Sequence, residues 1–322
     1  MVEVSALVKR YGSFEAVRGV SFSVGSGKVL GLLGPNGAGK TTIMKVLTGY
    51  HRPSSGRAVL DGRNVVEDPE GVKASLGYLP EGVPLYLDMT VAEYLDFVAA
   101  ARGLGGKERR AARKAAIERA VDACGLSGVA GIRLERLSKG FRQRVGLAQA
   151  IVHDPAILIL DEPTTGLDPN QILEIRSLIR SLGAEKTVIL STHILQEVEA
   201  LCSEVIILND GLVVAMGSAE AIGAGLQGDE RLECAVKGGF DPVEALAAIR
   251  AIPNVLSAEP TQAASGETTR FAVTAGKGRG DDVAEGLFDW AAANGTKLIE
   301  LKRERLSMED IFVRLTREEP KR

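Results

Sequence analysis

Cysteine is scarce in this sequence. Three occur in 322 residues, Cys124, Cys202 and Cys234, far apart and without a C-x-x-C step. That spacing excludes a disulfide framework and a cysteine metal site, and it fits a reducing cytoplasm. Positive charge is not in excess either: 39 Lys and Arg against 42 Asp and Glu leave a net charge of −3. No general basic field is present to hold a nucleic-acid backbone, and nucleic acid is not an expected partner. Long apolar runs are missing as well. The longest such tract, residues 205–226, is broken by Asn209-Asp210-Gly211 and by Glu220, so it reads as strand, turn and strand and not as a membrane span. The opening MVEVSALVKRYG places charges where a signal peptide would be apolar, so secretion by that route is not expected.

What is present is a globular composition, 45% hydrophobic and 25% charged, over a length that suggests two domains. Residues 4–8, 16–24, 28–33 and 57–60 are short β-branched runs between Gly-rich turns, predicted as strands of a mixed sheet, with 76–79 as a further buried strand. A helix is predicted from 37–40 to about 49. From 89 to 152 the pattern is helical, opening with Thr90 and Glu93 at capping-box spacing. Arg109, Arg110, Arg113, Lys114 and Arg119 read there as a solvated helix face. Residues 156–160 and 187–191 are continuous apolar runs around a helical segment at 170–182, as expected of parallel strands buried on both faces. After a Gly-bearing boundary at 223–228 the order is β-α-β-β-α-β, the ferredoxin-like arrangement, with Pro242 in a helical first turn and a last helix capped at Ser307.

Gly34-Pro35-Asn36-Gly37-Ala38-Gly39-Lys40-Thr41 matches G-x-x-x-x-G-K-[ST] between an apolar strand and a helix. Glycines let backbone N–H groups approach phosphate oxygens, Lys40 reaches the terminal phosphates, and Thr41 supplies an oxygen to Mg²⁺. Thr42 is the next residue in the same turn. Ile157-Leu158-Ile159-Leu160-Asp161-Glu162 ends an apolar strand, where Asp161 can hold Mg²⁺ and Glu162 can face an attacking water. Gly166-Leu167-Asp168 follows, and Ser191-Thr192-His193 ends the next strand, at the carboxyl edge where α/β sites form. Leu137-Ser138-Lys139-Gly140 opens another helix, so that Ser138 and the N–H groups after it read as an anion site. His51 and His153 read as structural histidines.

Loop, LSKG, ILILDEP, GLD and STH in this order and spacing resemble an ABC-transporter ATPase subunit over residues 1 to about 220. The resemblance implies that Tyr11 stacks on adenine, that Gly34 to Thr41 is the Walker A loop and Leu137 to Gly140 the signature, with Asp161 and Glu162 as Walker B. It makes Asp168 the D-loop acid and His193 the switch. Glu81 stands where the family commonly has Gln; it can still contact Mg²⁺ or water but donates no amide hydrogen bond. Lys139 departs from the usual LSGGQ. The strings GYLPEGVPLY and LSKGFRQRVGLAQA look most like ABC-2-type exporters, including the gliding-motility-like branch.

The expected fold class is therefore α/β: a P-loop ABC ATPase core with a mixed sheet and helical subdomain (about 88–150) in residues 1–225, and a small α+β ferredoxin-like accessory domain in 226–322. That accessory domain is expected to support a dimer in preference to sensing a ligand. The expected function is ATP hydrolysis with Mg²⁺, in an ATP-dependent homodimer that drives a separate transmembrane permease for export from the cytoplasmic face of the membrane. Two rivals share the phosphate loop. An ABC ATPase acting on DNA or the ribosome would bring long heptads or a second cassette, and a P-loop kinase leaves LSKG and His193 unexplained.

Overall fold

The computed structural model describes residues 1–226, 229–265, 268–304 and 308–316. The chain divides into one unit of Met1–Ala219 together with the stretch from Phe312, and a second unit of Glu220–Ile311.

The first unit holds β1 (Val2–Tyr11), β2 (Phe14–Val24), β3 (Val29–Leu33), α1 (Lys40–Leu47), β4 (Ser55–Leu60), β5 (Arg63–Asn64), α2 (Pro69–Ser75) and β6 (Leu76–Leu79). It continues through α3 (Val91–Ala99), α4 (Arg110–Ala123), α5 (Lys139–Ile151), β7 (Ile157–Asp161), α6 (Pro169–Gly183), β8 (Thr187–Thr192), α7 (Leu195–Leu201), β9 (Glu204–Asn209) and β10 (Leu212–Gly217). These strands make two sheets. The mixed sheet runs β10-β9-β3-β8-β7-β6, parallel except for β10 on β9. The first strands do not join it as the sequence suggested: β2-β1-β4-β5 is a separate antiparallel sheet, in which short turns pair β1 with β2 and β4 with β5, while β4 returns to the far edge of β1 only after β3 and α1. The tract at 205–226 is strand, turn and strand, and then α8 (Ala219–Leu226), which the turn signals did not announce.

β3, β7 and β8 are buried along their whole length. Their side chains alternate between two cores. Leu30, Leu32, Ile157, Ile159 and Ile189 pack with α1 and the antiparallel sheet, whereas Val29, Leu158, Leu160, Val188 and Leu190 pack with the helical region. In that region Thr90 accepts from the Glu93 N–H and the Glu93 carboxylate accepts from the Thr90 N–H, the reciprocal cap expected from the sequence. Tyr94 ties α3 to α5 by donating to Gln149, and its buried phenol is pushed up to about 12. Arg113 on α4 pairs with Asp96 on α3 at 2.8 Å.

His153 is structural: its Nε2 lies 3.0 Å from the Leu76 carbonyl oxygen, and burial, helped by the charge of Arg102, pushes its pKa down from 6.5 to about 4. The unfolded chain therefore binds this proton more readily than the folded one. The neutral ring costs nothing above pH 6.5, and stability falls as the pH drops from about 6.5 toward 4. The difference in unfolding midpoint between pH 7 and pH 5 is expected to shrink in His153→Gln, as read by thermal denaturation.

The second unit carries β11 (Glu230–Lys237), α9 (Pro242–Arg250), β12 (Val255–Ser265), β13 (Thr268–Ala275), α10 (Gly280–Ala293) and β14 (Lys297–Glu304), in the β-α-β-β-α-β order read from the sequence. The antiparallel sheet order is β12-β13-β11-β14. Phe271 is fully buried at its centre, with Phe240 and Trp290 packed around it. Asp241 caps α9 by accepting from the Val243 N–H at 2.8 Å, with Pro242 in the first turn. The last helix, α11, spans Met308–Thr316; its expected cap, Ser307, lies outside the described residues.

Candidate functional site

The loop of residues 34–39 leaves the carboxyl end of β3 and enters α1. Two glycines have no substitute. A Cβ on Gly34 would stand 2.5 Å from the Leu208 carbonyl oxygen; one on Gly39 would stand 2.6 Å from that of Ala16, and Gly39 also has φ of +102°. Gly39 leaves α1 without a side-chain cap, so the first N–H groups of this helix point their partial positive charge at whatever enters the loop. Lys40 is buried, and its ammonium donates to the carbonyls of Gly34 at 2.7 Å and Pro35 at 3.2 Å. Burial lowers its pKa, while Glu162, Asp161 and Glu81 hold it up. Ala38 is buried beneath the loop.

Two acids lie across from Lys40. Asp161 ends β7 almost fully buried; Ser191, its register partner on β8, donates to Asp161 Oδ1. Burial raises the Asp161 pKa, and the Glu81 charge raises it too, against hydrogen bonds from Ser191 and Thr41. Glu162 then turns out of the strand with φ of +49°, a left-handed conformation unusual for a side chain of this kind. Its N–H faces the same Ser191, 3.1 Å from Oγ and 3.2 Å from the carbonyl oxygen. Glu162 Oε2 lies 2.8 Å from His193 Nδ1 and accepts from Thr165 Oγ1 at 3.2 Å. The structure thus brings Glu162 and His193 into direct contact.

A cleft of about 480 Å³ runs over these groups, lined by Asn36, Gly37, Gly39, Lys40, Thr41, Thr42, Glu81, Glu162 and His193, with Tyr11 at one end. Tyr11 is 44% exposed, edge-on to His51 at 5.7 Å. Sequence reading missed Phe14, which lines the cleft beside it. The signal was there: Tyr11 and Phe14 close a two-residue hairpin turn, so both rings stand on the same corner. Thr165 and Ser191 were missed too, being visible only as neighbours of the acids.

Ser138, Lys139, Gly140 and Asp168 do not line this cleft. Ser138 caps α5 and Asp168 caps α6, each accepting from an N–H three residues on. The two helix starts touch. Lys139 Nζ lies against Gly166, and a Cβ on Gly140 would meet the Gln171 side chain at 2.6 Å.

Thr41, Asp161 and Glu81 are hard oxygen donors of the kind Mg²⁺ takes, and a divalent cation would offset the burial and the Glu81 charge that raise Asp161. Among the described residues no three His, Cys, Asp or Glu side chains gather to hold a metal alone. The donor set fits a cation that brings phosphate and water oxygens with it.

The chain is similar to known proteins over its whole length. A family profile described as ABC transporter matches residues 17–165. An uncharacterized ABC transporter ATP-binding protein of Synechocystis sp. is 37% identical over 94% of this chain and 79% of its own. The Nod factor export ATP-binding protein I of a Rhizobium sp. is 35% identical over 98% of this chain and 96% of its own. Among solved structures, one described as the ATP binding subunit of an ABC transporter is 31% identical, with a TM-score of 0.62 over 69% of this chain and 91% of that one.

Proposed function

Since the chain belongs to the ABC transporter family as an ATP-binding, ATP-hydrolysing subunit, we propose that two copies close around ATP and drive a separate ABC-2-type permease in export. The phosphates would lie on the N–H groups of the loop and α1, with Lys40 at the terminal phosphates and the base between the rings of Tyr11 and Phe14. Mg²⁺, held by Thr41, Asp161 and Glu81, would neutralise charge on the β- and γ-phosphates. Glu162 takes the proton of the attacking water, and His193, bonded to its other side, fixes the direction of the carboxylate. Residues 226–322 are proposed as an accessory domain.

One observation carries the dimer: the signature and Asp168 sit at the paired starts of α5 and α6, outside the cleft that holds Lys40 and Glu162. On this reading they serve the nucleotide of the second copy. ATP contacting both copies binds the closed state better, and that differential affinity is what can do mechanical work. Mixing Lys40→Ala with Ser138→Arg tests it, because a mixed dimer holds one intact composite site. Hydrolysis is expected to rise from near zero for either variant alone to about a quarter of the wild-type rate on mixing, if half the dimers are mixed and each runs one of two sites. No rise would count against a shared site.

The permease is supported by an apolar cleft lined by Tyr50, Tyr78, Pro80, Pro84, Val98 and Arg102, beside the exposed rings of Tyr86 and Phe97. Exposed apolar surface of this kind marks a protein partner. No described helix is long and apolar enough to cross a membrane, so the membrane path belongs to another chain on this reading. Export as the direction follows the likeness to the Nod factor export protein, and the cytoplasmic membrane face is the proposed location.

A further inference from the structure

Glu197, on α7, is a fully buried carboxyl to which the mechanism above gives no task. Its partners are all polar side chains from other segments. Thr164 Oγ1 donates to Oε1, Thr192 Oγ1 donates to Oε2 at 2.7 Å, and an Arg176 guanidinium nitrogen from α6 lies 3.9 Å from Oε1. Thr192 also accepts the Ile194 N–H at 3.0 Å, which closes the turn around His193.

The two threonines occupy telling positions. Thr164 immediately precedes Thr165, which donates to Glu162 Oε2; Thr192 immediately precedes His193, which lies against the same oxygen. Both segments that reach the Glu162 carboxylate are thus anchored, one residue back, on the two oxygens of a single buried carboxyl. A buried group of this kind persists only when its hydrogen bonds are met, and here they are met by the two walls of the site.

We propose that Glu197 is a positioning residue for hydrolysis: it holds the Thr164-Thr165 loop and the Thr192-His193 turn at the separation that keeps Thr165 and His193 on Glu162. This rests on the reading of Glu162 as general base. Glu197 is buried away from the lining of the cleft, and it acts through the threonines. Losing it lets both walls drift, which disorients the base and leaves the phosphate loop, on the far side of the cleft, unaltered.

Steady-state ATP hydrolysis by the full chain tests this. Glu197→Ala is expected to lower kcat by about thirtyfold to a few hundredfold with KM for ATP changed less than threefold, since misplacement alone costs about that much. Glu197→Gln, which keeps the volume and pairs with threonine hydroxyls free to rotate, should recover at least a third of the wild-type kcat. Thr192→Val, a milder change in case Glu197→Ala fails to fold, should lower kcat about tenfold with KM unchanged. Because the effect passes through Thr192, the double variant Thr192→Val/Glu197→Ala should be no slower than Glu197→Ala alone. Multiplying losses, a parallel rise in KM, or an unchanged kcat in Thr192→Val and Glu197→Ala would each overturn the proposal. Wild-type hydrolysis by Glu162→Gln would instead strike the base reading beneath it, and the two failures are told apart by that variant.

Discussion

Glu162→Gln is expected to hydrolyse ATP about a hundredfold to ten-thousandfold more slowly than wild type while still binding it, a loss of about 3–5 kcal/mol of transition-state stabilisation. The amide keeps the volume and one acceptor for Thr165, so the left-handed turn after β7 and its bonds to Ser191 survive. What disappears is the negative charge, and with it the second acceptor oxygen, which takes the proton while His193 Nδ1 lies 2.8 Å from the other. Chemistry and binding then separate. With hydrolysis blocked and Mg-ATP present, the variant should elute as a dimer in size-exclusion chromatography, and Ser138→Arg in the same chain should return it to monomer through bulk at the shared phosphate. Hydrolysis at the wild-type rate would remove Glu162 as the base; ATP binding without dimer formation would remove the shared site.

Lys40→Ala acts one step earlier, on binding itself. Its ammonium is buried, held up against desolvation by Glu162, Asp161 and Glu81, and tethered to two carbonyls of the loop. Removing it leaves three carboxylates facing an incoming polyphosphate with no lysine between them. Mg-ATP affinity is expected to fall by about a hundredfold to a thousandfold, or about 3–4 kcal/mol, in titration calorimetry. Circular dichroism should remain that of the wild type, because the two lost hydrogen bonds tie the side chain to its own loop and belong to no helix or strand ladder. Near wild-type affinity would displace Lys40 from the phosphate position.

Much of this arrangement could be read from residues alone, and the reasons are local. A phosphate loop needs a glycine pattern, a cap needs Thr90 and Glu93 three apart, and a strand buried on both faces reads as an unbroken apolar run at 157–160. Each of these is decided within a few residues. Pairing between distant segments is not. That β1, β2 and β4 leave β3 to form their own sheet depends on turns and partners that no window of sequence contains. Glu197 was invisible for a related reason: in Gln196-Glu197-Val198-Glu199 it looks like the solvated side of an amphipathic helix, and only the fold turns that side onto Thr164 and Thr192. The likeness to a known family named Tyr11 but not Phe14, which lines the cleft from the same hairpin corner.

The two-sided burial of β3, β7 and β8 has a consequence for how the sheet finds its alignment. A strand with one wet face is pinned, since a slip of one residue would expose its apolar side chains. These strands have no wet face, and a slip would merely exchange one core for the other. The polar groups at their carboxyl ends supply the missing penalty. Asp161 stands opposite Ser191 in the ladder and is bonded to it, and the Glu162 N–H turns back to the same serine. Shifting β7 back by one place along β8 would set Asp161 opposite Leu190, away from its donor. The residues proposed for hydrolysis are thus also the ones that tell two interchangeable hydrophobic strands where to stop.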